Sequence, residues 1–190
     1  WKPNVYEKET DPIRAIYSRR ADHIMQIGEE APTAQPDLRP GQIVIKDLDG
    51  YVRDENGNPK VDENGRFMLL GRPDGIIDEA DTELIGTLDP GWMASMTNTF
   101  KYKGFDLNIM FNGMFDRIMQ DPTEMDFGVN GGGIAQSGYN MLRTIKDRWT
   151  FDNPSTTRPS SYYITGTNYT AGDFFYQKAW FIRLQNISLG

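Results

Sequence analysis

Three features of this sequence point to an all-β chain and, more narrowly, to part of an antiparallel transmembrane β-barrel. Residues 92–115 alternate apolar and polar side chains with period two, and the parity flips once. Each arm of that segment is about 11 residues long, close to the ~9–11 a strand needs to cross a bilayer. A tight turn joins the arms, and a long connection follows them from Asp116 to Asp173. Barrels have this asymmetry, with short turns on one side of the membrane and long loops on the other.

The hairpin is the best-defined element. In WMASMTNTFKY the even positions Trp92, Ala94, Met96, Asn98, Phe100 and Tyr102 are mostly apolar, while the odd positions Met93, Ser95, Thr97, Thr99 and Lys101 are mostly polar. After Lys103–Gly104 the odd positions Phe105, Leu107, Ile109, Phe111 and Phe115 become the apolar set. A two-residue turn explains the flip, with Gly104 supplying a positive φ. It predicts Tyr102 opposite Phe105, Phe100 opposite Leu107, Met96 opposite Phe111 and Trp92 opposite Phe115. On the other face Lys101 meets Asp106, Thr99 meets Asn108 and Ser95 meets Asn112, so opposite charges and polar groups pair. Aromatic residues stand at both ends, as in interfacial girdles. A soluble β-sandwich, with the apolar face as its core, fits the same alternation.

The remaining elements follow in chain order. Residues 11–27 read as a packing helix: Asp11 can cap, Pro12 suits the first helical position, and Ile13, Ile16, Tyr17, Ala21, Ile24 and Ile27 fall roughly on one side up to Gly28. His23, the single histidine, reads as structural. EEAPTAQPDLRPG at 29–41 is a Pro-rich connector, and Gln42–Lys46 a short strand. A second short helix is expected around 139–149. FFYQKAWFIRLQNISLG at 174–190 returns to strand, with a phase slip near Gln185–Asn186 that predicts a bulge. The organisation is therefore a loop and helix segment (1–41), an acidic loop region (42–91), a transmembrane hairpin (92–115), a long extracellular loop (116–173) and a further barrel strand (174–190).

Composition narrows the function. The net charge is −7, and there is no basic stripe to neutralise phosphates, which argues against nucleic acid. There is no cysteine, hence no disulfide framework. No stretch approaches ~20 apolar residues, which excludes a transmembrane helix and says nothing against a barrel. The chain runs from Trp1 to Gly190, stops on an apolar run, and reads as an internal piece of a longer protein. Acidic residues cluster in turns and no nucleophile has a histidine partner, so an enzyme is not expected.

The acidic region poses its own question. D-L-D-G at 47–50 and D-G-I-I-D-E-A-D at 74–81 are two partial metal loops separated by residues 51–73. Spliced together, they place Asp47, Asp49 and Asp74 at positions 1, 3 and 5, Gly75 at 6, the Ile76 carbonyl at 7, Asp78 at 9 and Asp81 at 12. That is the spacing of an EF-hand-type Ca²⁺ loop, with Asp in place of Glu at the last position. Hydrogen-bonded solvated turns would use the same residue types. The intervening segment carries DENG twice, at 54–57 and 62–65, and reads as a hairpin excursion whose ends return to one point.

Five ordered blocks resemble one family. They are P-G-Q-I-V-I-K-D-L-D-G, D-G-I-I-D-E-A-D-x-x-x-I-G, N-T-F-K-Y-K-G-F-D-L-N-I-M-F-N-G, R-W-T-F-D-N-P-S-T-T-R-P and W-F-I-R-L-Q-N-I-S-L-G. Over residues 40–190 the chain is similar to the C-terminal barrel region of SusC/RagA-type TonB-dependent outer-membrane transporters of Bacteroidetes. Members carry a Trp-Thr-x-x-Asn-Pro loop and a Tyr-Leu-Arg-Leu-x-Asn-x-x-Leu-Gly strand. Their acidic loop is normally continuous, so residues 51–73 are a departure, and the 11–27 segment matches nothing in the family.

The resemblance implies a plugged barrel of about 22 strands, energised by TonB, capped by a SusD-like surface lipoprotein and importing glycans or peptides across the outer membrane. Lys101, Asp106, Asn108 and Asn112 would then face the lumen. Trp149, Tyr162, Tyr163 and Tyr169 would be available to lid or substrate. The alternative is a soluble, calcium-stabilised extracellular β-sandwich that binds glycan.

Overall fold

The computed structural model describes residues 10–129, 138–161 and 172–190. Nine strands are present among them: β1 (Ala15–Arg19), β2 (Ala21–Ile24), β3 (Ile43–Ile45), β4 (Thr82–Thr87), β5 (Trp92–Tyr102), β6 (Phe105–Phe115), β7 (Ile118–Gln120), β8 (Tyr176–Lys178) and β9 (Phe181–Leu189). They form four small groupings, β1–β4, β2–β3, β5–β6–β9 and β7–β8, of which the last three are antiparallel. The architecture is β-rich, and the longest sheet is an open one of three strands.

Residues 12–16, 86–120 and 176–190 make one compact unit. Its centre is the β5–β6 ladder, paired without interruption from Trp92↔Phe115 to Tyr102↔Phe105. This is the register the parity flip predicts. Lys103 and Gly104 both have positive φ, +47° and +88°, the backbone of a type I′ turn. That turn suits the right-handed twist of the two strands.

Strand β9 adds to the other edge of β6, with Leu107↔Leu189, Ile109↔Ile187, Phe111↔Leu184 and Gly113↔Ile182. The register slips between Met110 and Phe111, leaving Gln185 as the extra residue. The bulge matters because β9 changes its apolar parity there. Without the extra residue Ile187 and Leu189 would point to the polar side; with it they stay level with Leu184 and Ile182. The Gln185 side chain turns to the polar side, where Asn112 Nδ2 donates to its Oε1 at 3.0 Å.

The ladder then bends. Asp116 takes φ +56°, and its carbonyl accepts from Gly91 N–H at 3.0 Å. Gly91 has no room for a Cβ against the Asp116 side chain. Beyond the bend β7 pairs with β8, so the neck of the long 116–173 connection is itself a strand pair.

The other unit draws on residues 17–85 and 121–175. Its interior holds two small clusters, Ile43, Ile45 and Phe175 in one and Met25, Leu38 and Val44 in the other. Strand β3 is buried on both faces and so serves both. The Pro-rich connector is tied back across it: Ile45 N–H donates to Gln35 Oε1 at 2.8 Å, Met25 N–H to the Gln42 carbonyl at 2.8 Å and Gly41 N–H to the Met25 carbonyl at 2.7 Å. Trp149 is buried against Gly41, its indole N–H directed to Gln26 Oε1 at 3.3 Å.

Two helix expectations are corrected. Residues 11–27 form β1 and β2, interrupted at Arg20, and not a helix. The segment is rich in Ile and Tyr, which suit strands, and β4 and β3 offer edges to pair with, so tertiary pairing prevails over a weak helical periodicity. Gly28 keeps a positive φ, +86°, but closes a turn after β2 and not a helix end. The 139–149 segment contains only a short 3₁₀ stretch, Arg143–Asp147. A wide helical turn at Glu124–Val129, held at its start by Glu124 N–H on Asp121 Oδ1 (2.9 Å), lay unrecognised within the long loop.

Gly41 is strained in two ways for any other residue: its φ is +90°, and a Cβ would overlap the Trp149 ring. Gly41→Ala is expected to destabilise this unit by about 2–4 kcal/mol, combining left-handed backbone strain with overpacking. The measurement is faster hydrogen exchange across β2 and β3.

Candidate functional site

Two features bear on function: the two-faced sheet and the split acidic loop. On the sheet, the edge strands expose their apolar side chains. Trp92, Met96, Phe100, Tyr102, Ile182, Leu184, Ile187 and Leu189 are between 49% and 73% exposed. Among the described residues no second sheet packs over that face. At one rim Trp92 stacks on Phe115 (3.9 Å between centroids, 11°), and Phe115 is stacked against Trp180 (6.4 Å, 9°). At the other rim Lys103 Nζ sits 5.2 Å from the Tyr102 ring centre, over its face.

The opposite face is mostly polar, interrupted by Met93, Met110, Met114 and Phe181, and the four residues expected to line a lumen all stand on it. Lys101 Nζ lies 3.6 Å from Asp106 Oδ2, Thr99 donates to Asn108 Oδ1 at 3.2 Å, and Asn112 meets Gln185. The first pair is well exposed to solvent and contributes little to stability by itself.

The split loop does close. Asp47 Oδ2 accepts from Gly75 N–H at 2.7 Å, and Oδ1 from Asp74 N–H at 3.3 Å. In return Asp81 Oδ1 accepts from Leu48 and Asp49 N–H, at 2.7 and 3.3 Å. Each half therefore holds the other's backbone with a carboxylate. Gly50 lies against the Asp74 side chain, with no space for a Cβ. Asp81 also accepts from Asp78 N–H (2.8 Å), and Asp78 from Ala80 N–H (2.8 Å), a capping box around the 3₁₀ turn Glu79–Asp81. Asp81 is fully buried; burial pushes its carboxyl up, and the three backbone donors oppose that shift.

The excursion between the halves is more ordered than one hairpin. Val52, Lys60 and Met68, each eight residues from the next, close a ring of backbone bonds: Val52 N–H to Met68 O, Met68 N–H to Lys60 O and Lys60 N–H to Val52 O, at 2.8–2.9 Å. Each DENG turn is organised by its aspartate. Asp54 accepts from Asn56 and Asn58 N–H, and Asp62 from Asn64 and Arg66 N–H. These backbone donors hold both carboxyls below the ordinary range. At the third corner Asp49 accepts from Gly71 and Arg72 N–H at 2.7 and 3.2 Å. The ends return to one point, with Leu70 N–H on Gly50 O at 2.8 Å.

Thus Asp47, Asp49, Asp74, Asp78 and Asp81 are brought together, but as acceptors of backbone N–H groups. Ile76 lies exposed at the tip, its N–H on Asp74 Oδ1 (3.0 Å). Among the described residues no group of three or more Asp, Glu or His side chains converges as a metal site would require. Trp149 is 4% exposed and packed inside its unit, so it is not presented to a lid or substrate. Tyr162, Tyr163 and Tyr169 lie outside the described residues.

One charged cluster was missed in the sequence. His23 bridges Asp22 (Nδ1 to Oδ2, 2.9 Å) and Glu29 (Nε2 to Oε1, 2.5 Å), with Lys46 Nζ 3.3 Å from Asp22. Strand alternation alone would set Asp22 and His23 on opposite faces; the register slips between Ala21 and His23, and both are exposed.

No protein-family model matches this chain. The chain is similar to TonB-dependent receptor P3 of Formosa agariphila, with 24% identity over 186 residues, 96% of the chain. It spans 15% of that receptor's length. The likeness supports a relationship to TonB-dependent receptors at that coarse level and reaches no narrower type.

Asp81→Asn exchanges one acceptor oxygen for an NH₂ and leaves a buried N–H of Asp78 or Leu48 unpaired. It is expected to cost about 1–3 kcal/mol, read as lost amide protection at residues 47–50 and 78–81. The His23 cluster has a pH signature. Its hydrogen bond to Asp22, then that to Glu29, raises the His23 pKa above 6.5. The bond to His23 lowers Asp22 below 3.8, and the Gln26 N–H, then His23, lowers Glu29 below 4.5. The imidazolium contribution is complete below 6.5 and lost as pH rises through the higher folded value; the carboxylate contributions vanish only as pH falls through their lowered values. Protection of β2, corrected for intrinsic exchange, should fall as pH rises above 6.5, and His23→Gln should flatten that slope.

Proposed function

We propose that this chain is a barrel-wall and external-loop portion of a TonB-dependent outer-membrane importer. One observation carries the reading: a face on β5, β6 and β9 that is apolar except for Asn98, rimmed by aromatic rings and left open by the described chain. A patch of that extent in contact with water marks a surface meant for another apolar phase. Acyl chains fit best, because both long strands match the bilayer core and alternate apolar-out with polar-in.

In this reading Lys101, Asp106, Asn108 and Asn112 line the aqueous lumen. The function is passage of a solute once a plug moves, with positioning by polar side chains and no covalent step. Residues 1–41 and 116–173 belong to the external loops. The five sequence blocks shared with SusC/RagA-type transporters favour a glycan or peptide substrate and a SusD-like lipoprotein as lid, with Tyr162, Tyr163 and Tyr169 as candidate contacts. Co-purification of a surface lipoprotein with the intact receptor from outer membranes tests the lid.

The soluble glycan-binding sandwich needs a second sheet over Phe100, Phe111 and Ile182. Arginine scanning separates the readings. Phe111→Arg on the apolar face should cost about 2–4 kcal/mol of folding in bilayers, whereas Thr97→Arg on the polar face should cost much less. Urea titration of the intact protein in lipid measures both. Equal tolerance at the two positions would exclude a lipid-facing wall.

A further inference from the structure

The acidic loop gathers five carboxylates into one knot, and its backbone N–H groups satisfy oxygens without neutralising charge. A cation is the missing ingredient, and the structure contains one. Arg53, at the start of the 51–73 excursion, reaches back into the loop. Its Nη2 lies 3.2 Å from Asp78 Oδ2 and 3.9 Å from Asp74 Oδ2. These are positions 9 and 5 of the spliced calcium count. The guanidinium is held from two other sides, with Nη1 donating to Gly57 O at 3.2 Å and Cζ lying 5.8 Å from the centre of the Tyr51 ring.

We infer that Arg53 is the loop's built-in cation: the excursion delivers a guanidinium to the carboxylates that calcium would otherwise bridge, and the loop keeps its fold without a divalent ion. The chemistry is consistent throughout. A calcium ion needs six to eight oxygens turned inward at 2.3–2.6 Å. Here Asp47 and Asp81 spend both oxygens on backbone donors, Asp49 and Asp74 one each, and Asp78 divides its pair between Ala80 N–H and Arg53. A planar fork with several donors can serve two carboxylates at once, which a single hydrated ammonium does less well. The other nearby guanidinium, that of Arg19, donates from Nε to the Asp78 carbonyl at 2.9 Å and leaves its carboxylate to Arg53.

Placement of the excursion follows from this. It is inserted where the loop would be continuous, and its three-cornered ring of backbone bonds makes it a rigid arm. Tyr51, buried beside Arg53, anchors the base of that arm through its contact with Phe67 (5.3 Å between centroids). An arm of this kind keeps the guanidinium near the carboxylates at little entropic cost.

The test is hydrogen exchange of residues 47–50 and 70–81 in the intact receptor, in calcium and in chelator. For the native protein protection should be the same in both. Arg53→Met, which keeps the aliphatic stem and removes the charge, should exchange roughly tenfold faster in chelator, the loss expected for hydrogen bonds to charged groups. Arg53→Lys should recover part of it. Calcium-dependent protection of the native loop would overturn the inference, because it would show a metal still needed beside Arg53. Unchanged protection in Arg53→Met would overturn it equally. The native-protein measurement stands even if the variant misfolds.

Discussion

A two-residue turn governs this chain. Lys103–Gly104 sets the β5–β6 register, and because strand side chains alternate with period two, a shift of one residue would send every apolar group to the polar side. The later features of the sheet preserve what that turn establishes. The Gln185 bulge restores the phase of β9 where its sequence changes parity, and Asp116 bends the ladder before β7. The two faces differ so strongly in character that register and environment are one problem: a slipped strand would place Lys101 and Asp106 among Phe100 and Phe105.

The acidic region solves a different problem, the joining of two segments more than twenty residues apart. It does so with reciprocal carboxylate-to-backbone bonds, Asp47 reaching to Gly75 and Asp81 to Leu48. Such bonds are directional and charge-assisted, so they specify a shape where few apolar groups are present. They also accumulate negative charge, which burial of Asp81 makes more costly. The Arg53 guanidinium offsets this from within the chain. Loop, excursion and counter-charge are thus one structure and not a loop with an ornament.

Legibility in the sequence tracked how local the determining physics was. The hairpin was readable to the residue because alternation, turn chemistry and cross-strand pairing all act over a short span. The spliced spacing of Asp47, Asp49, Asp74, Asp78 and Asp81 was readable as proximity, yet not as geometry, since carboxylates aimed at N–H groups and carboxylates aimed at a metal have the same spelling. Residues 11–27 were misread because their pairing partners, β3 and β4, lie far along the chain. The burial of Trp149 is illegible for the same reason: nothing near it in sequence announces Gly41, whose missing Cβ makes the space it fills.

By itself, then, the amino-acid order determined the strand pair at 92–115, its faces, its turn and the bulge opposite it, because period-two alternation is a property of the chain and needs no partner to be recognised. Tertiary structure alone decided that 15–24 would be strand, that the Asp54, Asp62 and Asp49 turns would close a ring, and that Arg53 would meet Asp74 and Asp78. Those outcomes depend on which distant backbone edge or charge is within reach once the chain has folded, and hydrogen bonds and ion pairs between remote residues leave no periodic trace in a sequence.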